Sequence, residues 1–213
     1  MKSLRKTCSS VAALLAAAQL FASGATLAQD APDTVIRRAV DGVTSTLSAD
    51  KAVQSGDRRH INALVDEKVM PYIGIARMTQ SALGPAWAHA TPEQRQALTA
   101  EFKSLLTNTY AIAFTSYQAG TKIEYRPLHL SNGDTDATVR SLVSVGNGEP
   151  ISLDYYLEQI DGAWKVTDFG VFGVRMVETY KGQFKGAVAS GGVDGLIKAL
   201  VAKNNSNAAR VVQ

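Results

Sequence analysis

Four segments in the second half of the chain alternate apolar and polar residues, and the links between them are too short to hold a helix. The segments read TKIEYRPLHL (121–130), DATVRSLVSVG (136–146), ISLDYYLEQI (151–160) and AWKVTDFGVF (163–172). A period of two is that of a β-strand. The links SNGDT, NGEP and DG leave no room for the crossover that parallel strands need. The sequence therefore predicts a four-stranded antiparallel meander, with a hairpin at Asp161-Gly162.

Helical patterns precede this sheet. Apolar residues recur at spacings of three and four over 30–56 and 57–70, and a short helix is predicted at 75–83. The longest predicted helix covers 92–117. It begins at Thr91-Pro92-Glu93-Gln94, which combines a capping box with proline in the first turn.

Two more helices are predicted after the sheet, at 174–185 and 193–202, with the glycine-rich stretch 186–195 as the turn between them. Helices, a meander and further helices indicate one α+β domain, in which the N-terminal and C-terminal helices pack against the sheet. We expect the long helix, which carries four aromatic rings, to cover one sheet face.

The first 28 residues have the features of a secretory signal peptide. Lys2, Arg5 and Lys6 precede an apolar run, and the small-residue pattern Thr26-Leu27-Ala28 follows it. Cleavage after Ala28 predicts export, a domain over residues 29–203 and a polar, flexible tail over 204–213. An uncleaved membrane anchor is the alternative.

Removal of this leader changes the charge and the cysteine content. Residues 1–28 hold three of the 22 Lys and Arg residues and none of the 19 Asp and Glu residues, so 19 of each sign remain. A chain without net charge has no basic field to attract nucleic acid. The only cysteine, Cys8, leaves with the leader, which excludes disulfides and thiolate chemistry from the rest.

The sequence lacks the motifs of familiar catalytic sites. It contains no Gly-x-Ser-x-Gly elbow, His-Glu-x-x-His pair or phosphate-binding loop, and the histidines His60, His89 and His129 stand far apart. We therefore predict no catalytic residue, metal site or cofactor. One alternative rests on Asp168, which alternation places on the same face as Trp164 and Val166. A buried carboxylate there is a candidate general base, and the interpretation we prefer is a structural acceptor for backbone N–H groups.

Two blocks of sequence resemble the MlaC family, periplasmic phospholipid-binding proteins also described as toluene-tolerance or organic-solvent-resistance proteins. The blocks are ALGPAWAHATPEQRQALTAEFKSLL (82–106) and YYLEQIDGAWKVTDFGVFGVRMVETYKGQF (155–184). The matching residues are Leu83, Gly84, Trp87, Gln94, Phe102, Trp164, Lys165, Val166, Asp168, Gly173, Val174, Tyr180 and Phe184. The chain departs from the family at Thr167, where tyrosine is frequent, and at Arg175, where serine is frequent.

The resemblance implies a carrier in the Gram-negative periplasm that needs no covalent chemistry. Such a protein binds a diacyl phospholipid with its acyl chains in an apolar cavity between sheet and helices. It exchanges lipid with an outer-membrane lipoprotein–porin complex and with an inner-membrane ABC transporter that bears a ring of MCE domains, and it maintains the lipid asymmetry of the outer membrane. A carrier of another lipid, such as a hopanoid, and an isomerase-like enzyme are the alternatives.

Periodicity alone does not distinguish a filled core from a lined cavity. With the resemblance, we expect twelve side chains of the long helix and the sheet to line the lipid cavity. They are Phe102, Leu106, Tyr110, Phe114, Tyr117, Tyr125, Val143, Leu153, Tyr155, Val166, Phe169 and Val171.

Overall fold

The structure, a computed structural model, describes residues 30–115, 117 and 120–210. The predicted signal peptide and residues 211–213 lie outside these ranges. The helices are α1 (Pro32–Ala49), α2 (Lys51–Gln54), α3 (Arg58–Leu64), α4 (Ile75–Leu83), α5 (Pro92–Thr115) and α6 (Met176–Arg210). A π-helical turn (Val65–Val69) and a 3-10 turn (Met70–Tyr72) follow α3, and a second 3-10 stretch (Gly84–His89) follows α4.

Helices α2, α3 and α5 begin where short polar side chains accept hydrogen bonds from free backbone N–H groups. Asp50 accepts a hydrogen bond from the N–H of Ala52 at 2.8 Å, which starts α2 and divides the single helix predicted over 30–56. The capping box of α5 is confirmed. The Thr91 hydroxyl accepts from the N–H of Gln94 at 3.2 Å, and the Gln94 amide oxygen accepts from the N–H of Thr91 at 3.0 Å.

The sheet is an antiparallel meander, as predicted, but it has five strands rather than four. The order is β1-β2-β3-β4-β5, for β1 (Lys122–Tyr125), β2 (Asp136–Ser144), β3 (Ile151–Ile160), β4 (Ala163–Val171) and β5 (Val174–Arg175). Alternation over two residues carries no periodic signal, so the sequence predicts a helix from residue 174 instead of a strand. It exists because the chain reverses at Phe172-Gly173 and pairs Val174 with Val171.

Both two-residue hairpins of the sheet require positive φ. The loop Asp161-Gly162 has φ values of 50° and 74°, and Phe172-Gly173 has 50° and 78°. Asp-Gly suits this conformation, whereas phenylalanine rarely adopts it. The Phe172 side chain is also 63% exposed, so burial does not compensate for the strained backbone.

We expect Phe172→Asn to raise the free energy of unfolding by about 1 kcal/mol, because asparagine tolerates the left-handed region far better than phenylalanine does. Urea denaturation measures this change. Asp161→Asn, at the same position of the other hairpin, is the matched control and should change little. Equal or lower stability of Phe172→Asn would show that the ring makes a stabilising contact.

One extra residue in β4 changes which way its side chains point. Tyr156 of β3 pairs with Asp168, whereas the next residue, Leu157, pairs with Val166, so Thr167 is inserted as a β-bulge. Val166 and Phe169 therefore lie on the same face although they are three residues apart. Asp168 lies on the other face, contrary to the alternation expected from the sequence.

The register defines an inner sheet face, which packs against the helices, and a polar outer face. The inner face comprises Ile123, Tyr125, Ala137, Val139, Ser141, Val143, Ile151, Leu153, Tyr155, Leu157, Trp164, Val166, Phe169 and Val171. Helix α1 covers its centre, where Val35 and Ile36 pack with Val139 and Leu157.

Helix α5 differs from expectation because it packs mainly on other helices. Its buried Phe102 ring lies 5.0 Å from that of Tyr180 and 5.2 Å from that of Phe184, both on α6. These edge-to-face contacts direct that part of α5 toward α6 and leave the sheet centre to α1. Helix α5 meets the sheet nearer its C-terminus, where Tyr110 packs against Phe169.

The last helix is longer than the sequence suggested. The two predicted helices are joined by a kink at Gly192, which has φ 67°, instead of the loop expected over 186–195. The helix continues through Arg210, so residues 204–210 of the expected tail are helical. The Asn204 side chain is buried and donates to the backbone carbonyl of Glu101 at 3.0 Å, which ties this part of α6 to α5.

Candidate functional site

An apolar pocket of about 140 Å³ lies where α5 meets β4 and the segment 65–75. Its lining comprises Val65, Val69, Met70, Ile73, Ile75, Met78, Lys103, Leu106, Thr107, Tyr110, Phe114 and Phe169. The pocket therefore adjoins both the helical core and the inner sheet face. Nearly all of the pocket surface consists of apolar atoms.

The α5 wall of this pocket follows from helical spacing. Leu106, Tyr110 and Phe114 are four residues apart, so they project from one side of the helix. The Tyr110 ring meets the Phe169 ring edge-on, with centroids 5.3 Å apart. The Tyr110 hydroxyl donates to the sulfur of Met176, and burial raises the pKa of Tyr110 to about 12. Tyr110 is therefore a neutral donor that links α5 to the start of α6.

The opposite wall is the segment 65–75, which runs beside the part of the β4 edge that β5 leaves uncovered. The N–H of Gly74 donates to the carbonyl of Val166 at 2.9 Å, next to a parallel bridge between Ile73 and Val166. A Cβ atom on Gly74 would lie 2.9 Å from Cδ1 of Ile160, so only glycine fits here without a shift of its neighbours. This close approach holds the segment against the sheet.

The only formally charged group in the pocket lining is neutralised by an ion pair. Lys103 of α5 pairs through its Nζ with the carboxylate of Asp66 in the π-helical turn. Both side chains are partly exposed, so the pair contributes little to stability. It joins the two walls at the surface of the protein.

The twelve predicted cavity residues separate into groups in the structure. Leu106, Tyr110, Phe114 and Phe169 line the pocket. Phe102 lies in the core between α5 and α6. Tyr117 packs beside the small core of α2 and α3. The remaining six, which all lie on the inner sheet face, are Tyr125, Val143, Leu153, Tyr155, Val166 and Val171.

Sequence reasoning missed the wall formed by the segment 65–75. The sequence pattern predicts a helix over 57–70 and another over 75–83, and the twelve expected cavity residues include none from this segment. The available signal was a run of apolar residues that continues on both sides of Pro71, where a solvated turn would be polar. Such a run indicates a connection that packs against the core.

Asp168 is occupied by structural contacts. Its Oδ1 accepts from the N–H groups of Phe169 at 2.8 Å and Val177 at 3.0 Å, and its Oδ2 accepts from Nε of Arg175 at 2.7 Å. Val177 is in the first turn of α6, so Asp168 satisfies a free N–H group of that helix. The Arg175 guanidinium also lies 4.2 Å from the ring centroid of Tyr156. These contacts agree with the structural interpretation preferred from the sequence.

Within the described ranges, the structure brings together no group of three or more His, Asp or Glu side chains that could hold a metal ion. The same residues include no helix that is long and apolar enough to cross a membrane.

The family model described as MlaC protein matches residues 37–202. The intermembrane phospholipid transport system binding protein MlaC of Haemophilus influenzae is 25% identical over 174 residues, which are 80% of this chain and 81% of that protein. The toluene tolerance protein ttg2D of Pseudomonas putida is 27% identical over 170 residues, which are 79% of this chain and 78% of that protein.

A solved structure is similar to this chain over most of its length. It is the phospholipid-binding protein from Ralstonia solanacearum in complex with a phospholipid, and it is 38% identical to this chain with a TM-score of 0.80. The alignment covers 84% of this chain and 99% of the solved one.

Proposed function

Since this chain belongs to the MlaC family, we propose that it binds a phospholipid, shelters the acyl chains between its helices and its sheet, and carries the lipid between two membranes. The observation that carries this proposal is the 38% identity to a protein solved with a phospholipid bound, in an alignment that covers 84% of this chain and 99% of the other. The apolar pocket beside Tyr110 and Phe169 supplies a place where acyl chains can enter.

The physical need for such a protein follows from the cost of exposing acyl chains. Each methylene is about 0.8 kcal/mol less stable in water than in an apolar medium, so two chains of about 15 carbons cost on the order of 20 kcal/mol. A membrane already shelters them, and an apolar interior makes transfer nearly neutral. Near-neutral transfer allows both uptake and release, which a shuttle requires.

The pocket must widen to hold a lipid. Its volume is about 140 Å³, whereas pockets for ligands the size of a drug measure about 300 to 1,000 Å³. We infer that α5 moves away from the segment 65–75 and the inner sheet face as acyl chains enter. The walls are held mainly by apolar contacts and by the partly exposed Lys103–Asp66 pair. Neither interaction is directional enough to resist this separation strongly.

The proposed cellular setting follows the family. Residues 1–28 would direct export to the periplasm, and the mature protein would exchange lipid with the outer-membrane lipoprotein–porin complex and with the MCE-bearing ABC transporter of the inner membrane. The direct experiment is to purify the full chain from its native compartment, extract it with organic solvent and analyse the extract by mass spectrometry. We expect diacyl phospholipid in a near-stoichiometric amount. A protein free of lipid would contradict the proposal, and a hopanoid would identify another cargo.

Tyr110→Glu should reduce the lipid recovered with the protein by more than about tenfold, because it places an unpaired carboxylate against Phe114 and Phe169. The measurement is lipid per protein by mass spectrometry, with circular dichroism to verify folding. Ala100→Glu, on an exposed position of the same helix, should leave lipid content unchanged.

Leu106→Trp tests the same pocket without adding charge, because the larger side chain fills the space. We expect it to lower lipid content as well. Normal loading of both folded variants would mean that the acyl chains occupy another part of the protein.

A further inference from the structure

Three hydroxyl groups lie together on the inner sheet face, away from the apolar pocket. Tyr125 of β1 pairs directly with Ser141 of β2. Tyr155 of β3 pairs with Val139, so it is the diagonal neighbour of Ser141. Side chains in such positions are within reach of each other when they are aromatic. We refer to Tyr125, Ser141 and Tyr155 as the hydroxyl cluster.

Two hydroxyl groups of the cluster are buried without a hydrogen-bond partner. Ser141 is 1% exposed. Among the described residues, neither the Ser141 Oγ nor the Tyr125 hydroxyl has a partner, and both atoms are shielded from solvent. Buried polar atoms are normally satisfied, and leaving one unpaired costs free energy. Valine or phenylalanine would fill the same positions without that cost, so the hydroxyl groups need a separate explanation.

The surroundings of the cluster are otherwise apolar on the sheet side. Val139, Leu157 and Val166 form the core beside the cluster, and α1 packs over this part of the inner face. The guanidinium of Arg37 on α1 lies 4.0 Å from the ring centroid of Tyr125. Burial raises the pKa of Tyr125 to about 12, and the neighbouring Tyr155 phenol adds to the shift. The phenol is therefore a neutral hydrogen-bond donor at any physiological pH.

The cluster is continuous with the pocket across the sheet. Phe169 lines the pocket and pairs in register with Tyr155, and both lie on the inner face. A molecule bound between the helices and this face would therefore contact apolar side chains in the pocket and hydroxyl groups at the cluster. These contacts suit a ligand in which an apolar chain is followed by a hydrogen-bond acceptor.

We propose that the hydroxyl cluster is a subsite for the ester groups of a glycerolipid, in which Tyr125, Ser141 and Tyr155 donate hydrogen bonds to the ester carbonyl oxygens. This inference rests on the proposed function and specifies its ligand. Ester groups join the acyl chains to the glycerol. When the acyl chains are buried in the protein, the ester carbonyl oxygens are therefore the nearest hydrogen-bond acceptors of the lipid. Hydroxyl donors match them without introducing a charge that would oppose release.

The test compares ester and ether lipids of equal chain length and equal head group. The full protein is incubated with vesicles that contain equal amounts of dipalmitoyl phosphatidylethanolamine and its dihexadecyl ether analogue, reisolated and analysed by mass spectrometry. We expect an approximately tenfold preference for the ester lipid, as one or two hydrogen bonds provide. The variant Tyr125→Phe/Ser141→Ala/Tyr155→Phe should take up both lipids equally.

The matched control is Tyr156→Phe, which removes a hydroxyl from the outer sheet face and should keep the ester preference. Two of the three hydroxyl groups are unpaired, so their removal should not unfold the triple variant, and thermal denaturation verifies this. Equal uptake of both lipids by the wild type, or an unchanged preference in the folded triple variant, would overturn the subsite. Uptake of neither lipid by the wild type would contradict the proposed function itself, which is a distinct result.

Discussion

Asp168→Ala should lower the free energy of unfolding by about 3 to 4 kcal/mol. The carboxylate accepts hydrogen bonds from two backbone N–H groups and from Arg175, and its side chain is only 3% exposed. Removing the carboxylate leaves the buried N–H of Val177 without its acceptor and removes the contacts that hold the start of α6 against β4. The urea midpoint should fall with little change in the slope of the transition.

Asp154→Ala is the control for this variant. Asp154 lies on the same outer face, opposite Gly170 in register, and its side chain is 17% exposed. Its contact with Arg140 is a 3.9 Å ion pair to a largely exposed partner, so its loss should cost less than about 1 kcal/mol. If both variants lost equal stability, the bracing role of Asp168 would be excluded.

Phe102→Ala should be at least as damaging, with a loss of about 4 kcal/mol. The ring is 1% exposed and packs edge-on against Tyr180 and Phe184, so its removal leaves a cavity between two helices that cannot close easily. Urea denaturation gives the change in free energy, and the slope of the transition reports whether the native state remains compact.

The matched comparison is Phe114→Ala on the same helix. Phe114 is only partly buried and lines the pocket, so its truncation should cost less than about 2 kcal/mol. Under the proposed function it should instead alter lipid loading. A larger stability loss at Phe114 than at Phe102 would reverse the assignment of core and pocket along α5.

The sequence predicted those elements whose signals are local and redundant. The β3–β4 hairpin combines two alternating segments with Asp161-Gly162, and α5 combines a capping box with apolar spacing, so each has two independent signals. Strand β5 has neither length nor a familiar turn sequence, since Phe172 stands where Asn or Asp is usual. The stretch 186–195 contains four glycines and predicts a loop, because glycines close to one another usually interrupt a helix, whereas the structure has a kink at Gly192.

The candidate site was predicted only in part, because periodicity assigns a side chain to a face and does not name what lies opposite. Leu106, Tyr110 and Phe102 belong to one apolar stripe, yet the first two face the pocket and the third faces α6. In β4 the bulge at Thr167 reverses the alternation, which moved Asp168 to the outer face. A single inserted residue leaves no trace in composition, and only the register of the neighbouring strand reveals it.

The meander also determines the order in which the chain can acquire structure. Each strand pairs with the strand beside it in sequence, and two of the links have only two residues, so the loss of chain entropy on pairing is small. Such hairpins form within about 10 microseconds. Helix α1, in contrast, buries Val35 and Ile36 mainly against strands that follow it at a long distance in the chain. This part of the core therefore forms only when the last strands exist, and contacts so distant in sequence slow the final step.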